Sequence, residues 1–399
     1  MATSQLERLI GSAPAALGRV VARADVVYDG LGLPRADGAV VAQRAPGVSS
    51  IVNVTSSVDA TAAYPDAALL DCGFAVSPPV VNAHTHLDLS HMTYTPGAYV
   101  DFIATVVAHA GSGGRGLAAA RSGLAELAAN GTTIIGDVVT DEGVMELLLS
   151  QTAVGGVAYW EVFAPRREDA DAVFEATVRR LTRFRALQRV GGMRVGLSPH
   201  TPHTVSAPLL QRLVAFARAE RIPLAIHVAE APAERELHER GSGQLAEALA
   251  AAGFAFQATG GSPVRYLDEL GVLDVAPTLV HGVQVDESDV RLIARSGAVV
   301  VHCPRSNAAL ECGSFPWAMY ARHGVALAFG TDSRGSSPDL DVTAEVMAAL
   351  EQQGAGLNPR AAVRAAVKGG HQALGVTPPR VARGAPATAL VAWSAEAHD

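Results

Sequence analysis

The sequence predicts an α/β fold, a (β/α)8 TIM barrel with a small β-domain built from both chain ends. Three observations lead there. From residue 79 onward, eight short apolar runs alternate with longer stretches of helical pattern. The runs are nearly continuous in apolar residues, as strands covered on both faces are. The alternation also fills roughly 300 residues, the size of an eightfold barrel with insertions. An open doubly wound sheet is the other arrangement of the same elements.

The strands are expected at 79–84 (PVVNAH), 132–139 (TTIIGDVV), 155–163 (GGVAYWEVF), 194–201 (RVGLSPHT), 222–230 (IPLAIHVAE), 277–285 (PTLVHGVQV), 297–304 (GAVVVHCP) and 324–333 (GVALAFGTDS). Between them, AAARSGLAELAANG closes on Asn130 and Gly131, which suit a helix C-terminus. SAPLLQRLVAFARAERI and DESDVRLIARSG open on the N-cap residues Ser206 and Asp286. A last helix is expected in NPRAAVRAAVKGGHQALG. Outside the barrel, VVARADVVYDG, SSIVNVTSS and AALLDCGFAVSP read as short strands separated by Gly, Pro and Asp, and the tail PPRVARGAPATALVAWSAEAHD resumes that pattern. The expected division is 1–75 plus 376–399 for the small domain and 76–375 for the barrel. The Gly-rich HAGSGGRG (109–116) reads as a mobile loop over the site.

At 399 residues the chain is long enough to bury a large core, and its 49% hydrophobic content argues against disorder. A net charge of -8 gives no electrostatic reason to expect nucleic acid or an anionic membrane as partner. A small-molecule substrate is left, and a homo-oligomer stays open. Charges break the apolar residues of the N-terminus, so it does not read as a signal peptide, and no run approaches the about 20 apolar residues of a membrane span. Cys72, Cys303 and Cys312 are too few and too scattered for a disulfide framework. A cytoplasmic location is expected.

In a barrel of this kind functional residues sit at the C-terminal ends of the strands. Those ends carry His84 and His86 on the first strand, His227 and Glu230 on the fifth, His281 on the sixth and Asp332 on the eighth. In extended chain His84 and His86 point the same way, so they can share an ion. Taken alone, an H-x-H pair reads more readily as a solvated strand end, and a lone Asp in GTDS as a helix cap. Four such residues at converging ends are another matter. His84, His86, His227 and Asp332 make three imidazoles and a carboxylate, a set suited to one divalent metal per chain with a position left for water. Zn2+ is the first expectation; Fe2+ or Mn2+ would accept the same ligands. Cys303 beside His302 is expected to be a buried small hydrophobe, since strand neighbours point to opposite faces. The H-x-E plus P-C-x-x-C signature of zinc nucleobase deaminases is absent.

The motifs VNAHTHLDLS, IHVAE, LVHG, HCPRSN and FGTDS, in that order, resemble the strand 1, 5, 6, 7 and 8 motifs of the amidohydrolase superfamily, and the flanking β-segments resemble its accessory β-sandwich. The chain is most similar to the mononuclear deaminase branch, which acts on cytosine, guanine, S-adenosylhomocysteine and aminodeoxyfutalosine. Through VNAHTHLDLS and SPHTPHTVS it most resembles the aminodeoxyfutalosine deaminases of menaquinone biosynthesis. Many binuclear members bridge their metals with a carboxylated lysine on strand 4. Here Lys368 is the one lysine among 31 basic residues and lies in the last expected helix. A lysine-bridged pair is therefore excluded, though Glu161 leaves an opening for a second site of another kind.

The resemblance implies that Glu230 protonates a ring nitrogen of the substrate and shuttles protons, while His281 and Asp332 hold and deprotonate the attacking water and pass a proton to departing ammonia. A Glu that merely begins the APAERELHER helix is the plainer reading of position 230. Expected substrate contacts are Asp88, where many relatives carry Glu, together with Ser198, His200 and His203 near the end of strand 4, and Arg305 and Asn307 after strand 7. Ser198, His200 and His203 have an equally simple structural reading as loop residues, and Arg305 as a surface charge. Arg166 and Arg167 are candidates for a substrate carboxylate, or a solvated pair. The function expected is hydrolytic deamination of an aminated purine-type ring. Cyclic-amide or chlorotriazine hydrolysis is the alternative chemistry, and a non-catalytic metal-binding scaffold the alternative from another class.

Overall fold

The computed structural model describes residues 2–5, 10, 18–28, 34–44, 49–378, 381–387 and 390–394. Parts of the expected terminal β-segments at 29–30, 379–380, 388–389 and 395–399 lie outside the described residues. The chain separates into two compact units, one of Met1–Val80, Pro359–Lys368 and Thr377–Asp399, the other of Val81–Asn358 and Gly369–Val376.

The first unit is built on a seven-stranded sheet. In chain order its strands are β1 (Ala2–Gln5), β2 (Arg19–Val27), β3 (Arg35–Gln43), β4 (Ser50–Ser56), β5 (Ala68–Asp71), β6 (Ala75–Ser77) and a last strand at Val391–Ser394. That last strand pairs antiparallel with both β1 and β6, so the two chain ends meet in one sheet. β2 and β3 alternate between two apolar clusters. Val20, Ala22, Val40 and Ala42 join one; Val21, Ala39 and Val41 join the other with Ala60 of helix Ser57–Ala63. Cover on both faces explains why VVARA carries no clear polar alternation. Strands β1 and β3 escape the sequence reading, β3 because Asp37 and Gly38 look like a turn, and Asp37 does take a positive φ.

The second unit holds eight parallel strands in two four-stranded sheets. One has the order β10-β9-β8-β7, the other β11-β12-β13-β14. Their ranges are β7 Asn82–Thr85, β8 Ile134–Val139, β9 Gly155–Val162, β10 Met193–Pro199, β11 Ala225–Val228, β12 Thr278–His281, β13 Val299–His302 and β14 Ala326–Phe329. Six fall within expected runs and two overlap theirs, β7 passing the expected end by Thr85 and β10 beginning one residue early at Met193; all are shorter than expected, because several of the polar residues at the run ends have left the ladder. Single parallel bridges, Thr85 with Asp332 and Leu197 with Leu224, connect the two sheets. One buried cluster draws side chains from both, including Ala83, Val138, Val157, Ala225, Val280, Val301 and Ala328.

Helices fill the connections. Leu117–Ala129 ends at Asn130 as its sequence indicates, and Glu287–Ser296 begins with a reciprocal capping box between Asp286 and Asp289. Helix Tyr99–Gly111, not anticipated from sequence, occupies the β7–β8 connection and takes in His109–Gly111, the first three residues of HAGSGGRG that were expected as loop. The last expected helix is broken by a π-turn at Ala365–Gly369. Among the described residues no helix is long and apolar enough to cross a membrane.

Backbones approach closely at Gly156, at the start of β9. Its φ is +119°, and a Cβ there would lie 2.0 Å from the Ile135 carbonyl oxygen. Gly156→Ala is expected to cost about 3 kcal/mol through strain and overpacking. Gly97→Ala, whose Cβ would meet nothing within 4 Å, is expected to stay within about 0.5 kcal/mol of the parent. Chemical denaturation of both variants measures the difference.

Candidate metal centre and active site

The site forms where the first and last parallel strands of the second unit meet. β7 pairs with β8 through Asn82–Ile135 and Thr85–Asp137, three steps on one strand against two on the other, so a bulge lies between. Bulges re-aim side chains beside active sites. This one delivers His84 and His86 to the strand end with ring centroids 4.8 Å apart. The His84 carbonyl accepts both the Thr331 and the Asp332 N–H, at 3.0 and 3.1 Å. Asn82 adds a reciprocal pair, donating to Thr331 Oγ1 at 2.8 Å and accepting the Thr331 N–H at 3.1 Å. A carboxylate 246–248 residues downstream is thereby fixed beside the first histidines.

Asp332 Oδ1 lies 3.5 Å from Nε2 of both His84 and His86. That is too long for a strong hydrogen bond but close to the roughly 3.4 Å between two ligand atoms sharing a tetrahedral zinc. The other oxygen, Oδ2, accepts from Ser306 at 2.7 Å and from Ser336 at 3.0 Å, so one oxygen is anchored and one free. His227 comes from β11, its ring 4.9 Å from that of His84. Its Nδ1–H donates to the His200 carbonyl at 2.9 Å, which leaves the Nε2 lone pair facing the others. His84, His86 and His227 each offer a nitrogen within 4.8 Å of the rest. The His84 Nε2 is buried with no hydrogen-bond partner. A divalent cation fits this donor set.

Electrostatics prepare the same arrangement. Burial, reinforced by neighbouring imidazoles, holds His86 and His227 well below the usual histidine range, so their lone pairs stay free at neutral pH. Burial alone would push Asp332 up, but His86, His84 and His281 around it hold it well below the carboxylate range. Glu230 goes the opposite way. Burial first, then Asp332 and Glu234, raise it well above the carboxylate range, against a hydrogen bond from Tyr99. The pKa values of two nearby carboxyl groups are thus driven apart, Glu230 upward and Asp332 downward.

Glu230 Oε2 stands 3.5 Å from His281 Nε2. Burial lowers the His281 pKa to about 4, with Asp332 opposing. The Asn307 amide N–H donates to His281 Nδ1 at 3.0 Å, which puts the ring proton on Nε2, facing Glu230. Three residues at these strand ends take positive φ without being glycine: Ala229 (52°), His281 (76°) and Asp332 (60°). Such residues cost on the order of 1–3 kcal/mol each and collect at functional sites.

A pocket opens over this cluster, lined on one side by His86, His200, Glu230 and Asp332 and on the other by Tyr99, Phe102, Ile103 and Val106 of the helix missed from sequence. Of the expected substrate contacts, His200 lines it. Asp88 does not. Fully buried, its carboxylate accepts from Arg115 Nε at 2.7 Å and from Thr140 at 3.0 Å, and it is Arg115 that reaches the pocket. Asn307 holds His281 rather than lining the cavity. Ser198 is fully buried beneath it, and His203 sits in a separate buried group with Glu234 and His238. Arg305 is turned away, its guanidinium taken by Glu345 at 2.6 Å and Asp339 at 2.7 Å. Arg166 stacks over Phe254. Cys303 is fully buried. Arg115 and the helix residues Tyr99, Phe102, Ile103 and Val106 are among the site residues that sequence reasoning misses; the Arg in the Gly-rich loop was the available signal for the first.

The amidohydrolase family model matches residues 75–394. Aminodeoxyfutalosine deaminase of Deinococcus radiodurans is 43% identical over 370 residues, covering 90% of this chain and 87% of that protein. The 5-methylthioadenosine/S-adenosylhomocysteine deaminase of Halobacterium salinarum is 31% identical over 89% of this chain and 80% of its own length. Among solved structures, Helicobacter pylori aminofutalosine deaminase in complex with methylthio-coformycin shares the fold with a TM-score of 0.74 at 18% identity, covering 94% of this chain and 91% of that one. An adenosine deaminase from Xanthomonas campestris with bound zinc shares it at a TM-score of 0.64 and 24% identity, covering 92% and 83%.

Ser306→Ala removes the shorter of the two bonds to Asp332 Oδ2 and leaves Ser336 in place. Metal affinity, read by competition with a coloured chelator, is expected to fall about tenfold with the fold intact.

Proposed function

The chain belongs to the amidohydrolase family, hydrolases of carbon–nitrogen bonds, and on that footing we propose that it deaminates the 6-aminopurine ring of aminodeoxyfutalosine, as a step of menaquinone biosynthesis. The observation that carries the reading is a buried Glu230 set 3.5 Å from His281, its pKa pushed well above the carboxylate range by burial, in a pocket that Tyr99, Phe102 and Ile103 also line. A flat heteroaromatic ring suits such a wall, and a carboxyl whose pKa is raised suits giving a proton to a ring nitrogen.

His84, His86, His227 and Asp332 would hold the ion, and zinc is our assignment, supported by the nitrogen-rich ligand set and by the zinc-bound fold neighbour. When bound, such an ion activates water as a Lewis acid. Glu230 gives its proton to the ring nitrogen next to the amine-bearing carbon. His281, its Nε2–H aimed at the reacting centre, supports the oxygen that adds there. Asp332 takes one proton from the incoming water and gives it to the departing amine, and the remaining hydroxyl proton passes to Glu230, restoring its acid as the carbonyl forms. One water enters, ammonia leaves, and the carbon is left as a carbonyl. Arg115 and His200 face the part of the substrate beyond the ring. We read the two parallel sheets as halves of one (β/α)8 barrel spanning 76–375, and the mixed sheet as a β-sandwich of 1–75 and 376–399. A cytoplasmic setting suits this small-molecule chemistry.

Ammonia release from the metal-loaded protein tests the substrate across aminodeoxyfutalosine, 5-methylthioadenosine, S-adenosylhomocysteine, adenosine and guanine. Aminodeoxyfutalosine is expected to lead in kcat/KM by about tenfold or more, a margin of about 1.4 kcal/mol. A lead by guanine, or ammonia from none, overturns the assignment. Glu230→Gln keeps the volume and removes the transferable proton. It is expected to lower kcat about 10³-fold while bound metal stays at the parent level.

A further inference from the structure

Away from the described cluster, three polar side chains of the same unit converge in a buried space that the proposed reaction does not use. His203 follows β10, while Glu234 and His238 stand four residues apart on helix Pro232–Arg240, a spacing that puts both on one helix face. They are 6%, 2% and 0% exposed. One atom of each, His203 Nδ1, Glu234 Oε1 and His238 Nε2, is buried with no hydrogen-bond partner. The group offers ligand atoms that all lie within 4.8 Å of one another, with His203 Nδ1 to Glu234 Oε1 at 3.9 Å.

The far sides of two of these groups are tied down. Glu234 Oε2 accepts the Glu230 N–H at 2.8 Å. His238 Nδ1 faces Thr259 Oγ1 at 3.4 Å; with the Thr259 O–H donating to the His238 carbonyl at 3.2 Å, Oγ1 is free to accept from Nδ1, the tautomer that leaves Nε2 as the lone pair. Phe256 packs against both imidazoles, with centroids at 4.6 and 6.3 Å, and Tyr266 against His238 at 5.5 Å. Burial keeps both histidines neutral, His238 down to about 3, so each offers a lone pair rather than a charge. Two imidazoles and one carboxylate, with fixed outer partners and an aromatic surround, make a ligand set for a divalent cation.

We propose that His203, Glu234 and His238 form a second divalent-metal site, distinct from the His84, His86, His227 and Asp332 cluster. His203 Nδ1 and Glu234 Oε1, 3.9 Å apart, need to close by about 0.5 Å, and no pair of the three by more than about 1.4 Å, to reach the roughly 3.4 Å spacing of tetrahedral zinc. Because Glu234 also holds the Glu230 backbone, an ion here fixes the turn that presents Glu230.

The test uses the full chain loaded with zinc and freed of excess by gel filtration. Anomalous difference maps recorded above and below the zinc edge are expected to show a peak among these three side chains. Metal analysis is expected to give about two ions per chain, falling to about one in His238→Leu or Glu234→Gln, and to about one in the double variant His84→Ala/His86→Ala. Glu234→Gln keeps the side-chain volume, and the map on the parent protein needs no variant at all, so misfolding of His238→Leu leaves the question decidable. No peak at this position in fully loaded crystals overturns the proposal, as does a double variant that holds no metal. If instead the double variant holds as much metal as the parent, the first cluster is the one that fails, and the peak here stands.

Discussion

Everything chemical in this chain depends on one short junction, the His84 carbonyl receiving the N–H groups of Thr331 and Asp332. It ties the start of the second unit's parallel strands to their end. Without it, His84 and His86 would face no carboxylate, since Asp332 arrives from almost the full length of that unit. The junction tolerates no bulk. A Cβ on Gly330 would lie 2.7 Å from the His84 Cβ and 2.8 Å from its carbonyl oxygen, so the residue before Thr331 must be glycine for the two strands to approach. The Asn82–Thr331 pair, fully buried, supplies direction as well as strength, because an amide and a hydroxyl-bearing residue satisfy each other in one register only.

From that junction the charge states follow. The cluster is buried, so each titratable group is governed by its neighbours more than by solvent. Burial, helped by neighbouring imidazoles, holds His86 and His227 well below the usual histidine range. The histidines around Asp332 pull its pKa down against burial, while burial, Asp332 and Glu234 push that of Glu230 up. The same low dielectric makes unpaired polar atoms costly, and Ser306, Ser336, Asn307 and the His200 carbonyl are accordingly spent on orienting Asp332, His281 and His227. The left-handed backbone at Ala229, His281 and Asp332 belongs to the same account: strain persists where the surroundings over-determine it.

Much of this was legible in the sequence because strand periodicity and strand ends are local. All eight apolar runs contain strands, and His84, His86, His227, Glu230, His281 and Asp332 come together as their positions at run ends suggest. What was not legible is decided by partners far along the chain. Arg305 looks like a free cation until Glu345 and Asp339 are folded against it. Asp88 looks like a pocket residue until Arg115, from a Gly-rich stretch read as a mobile loop, takes its carboxylate. Helix Tyr99–Gly111 escaped because its run YVDFIATVVAHAG is rich in β-branched residues, which favour strands intrinsically, and packing outweighs that preference. The β7 bulge is equally invisible, since alternation counted along the sequence assumes an unbroken ladder.

Glu230 itself shows how local and distant constraints meet. It leaves β11 through Ala229 in a left-handed turn and precedes a helix whose Pro232 needs no N–H partner. Its own N–H is not left to water; the Glu234 carboxyl one turn later accepts it. The orphan donor at a helix start is thus satisfied by an acidic side chain that is itself buried beside two histidines. That choice is costly in an apolar surround, where a serine or threonine cap would serve the helix alone. A buried carboxyl is worth its desolvation only when both oxygens are used, and in Glu234 one oxygen serves the turn that aims Glu230 while the other faces His203 and His238. The position of the acid in the pocket is therefore set from behind, by a group that never touches the substrate.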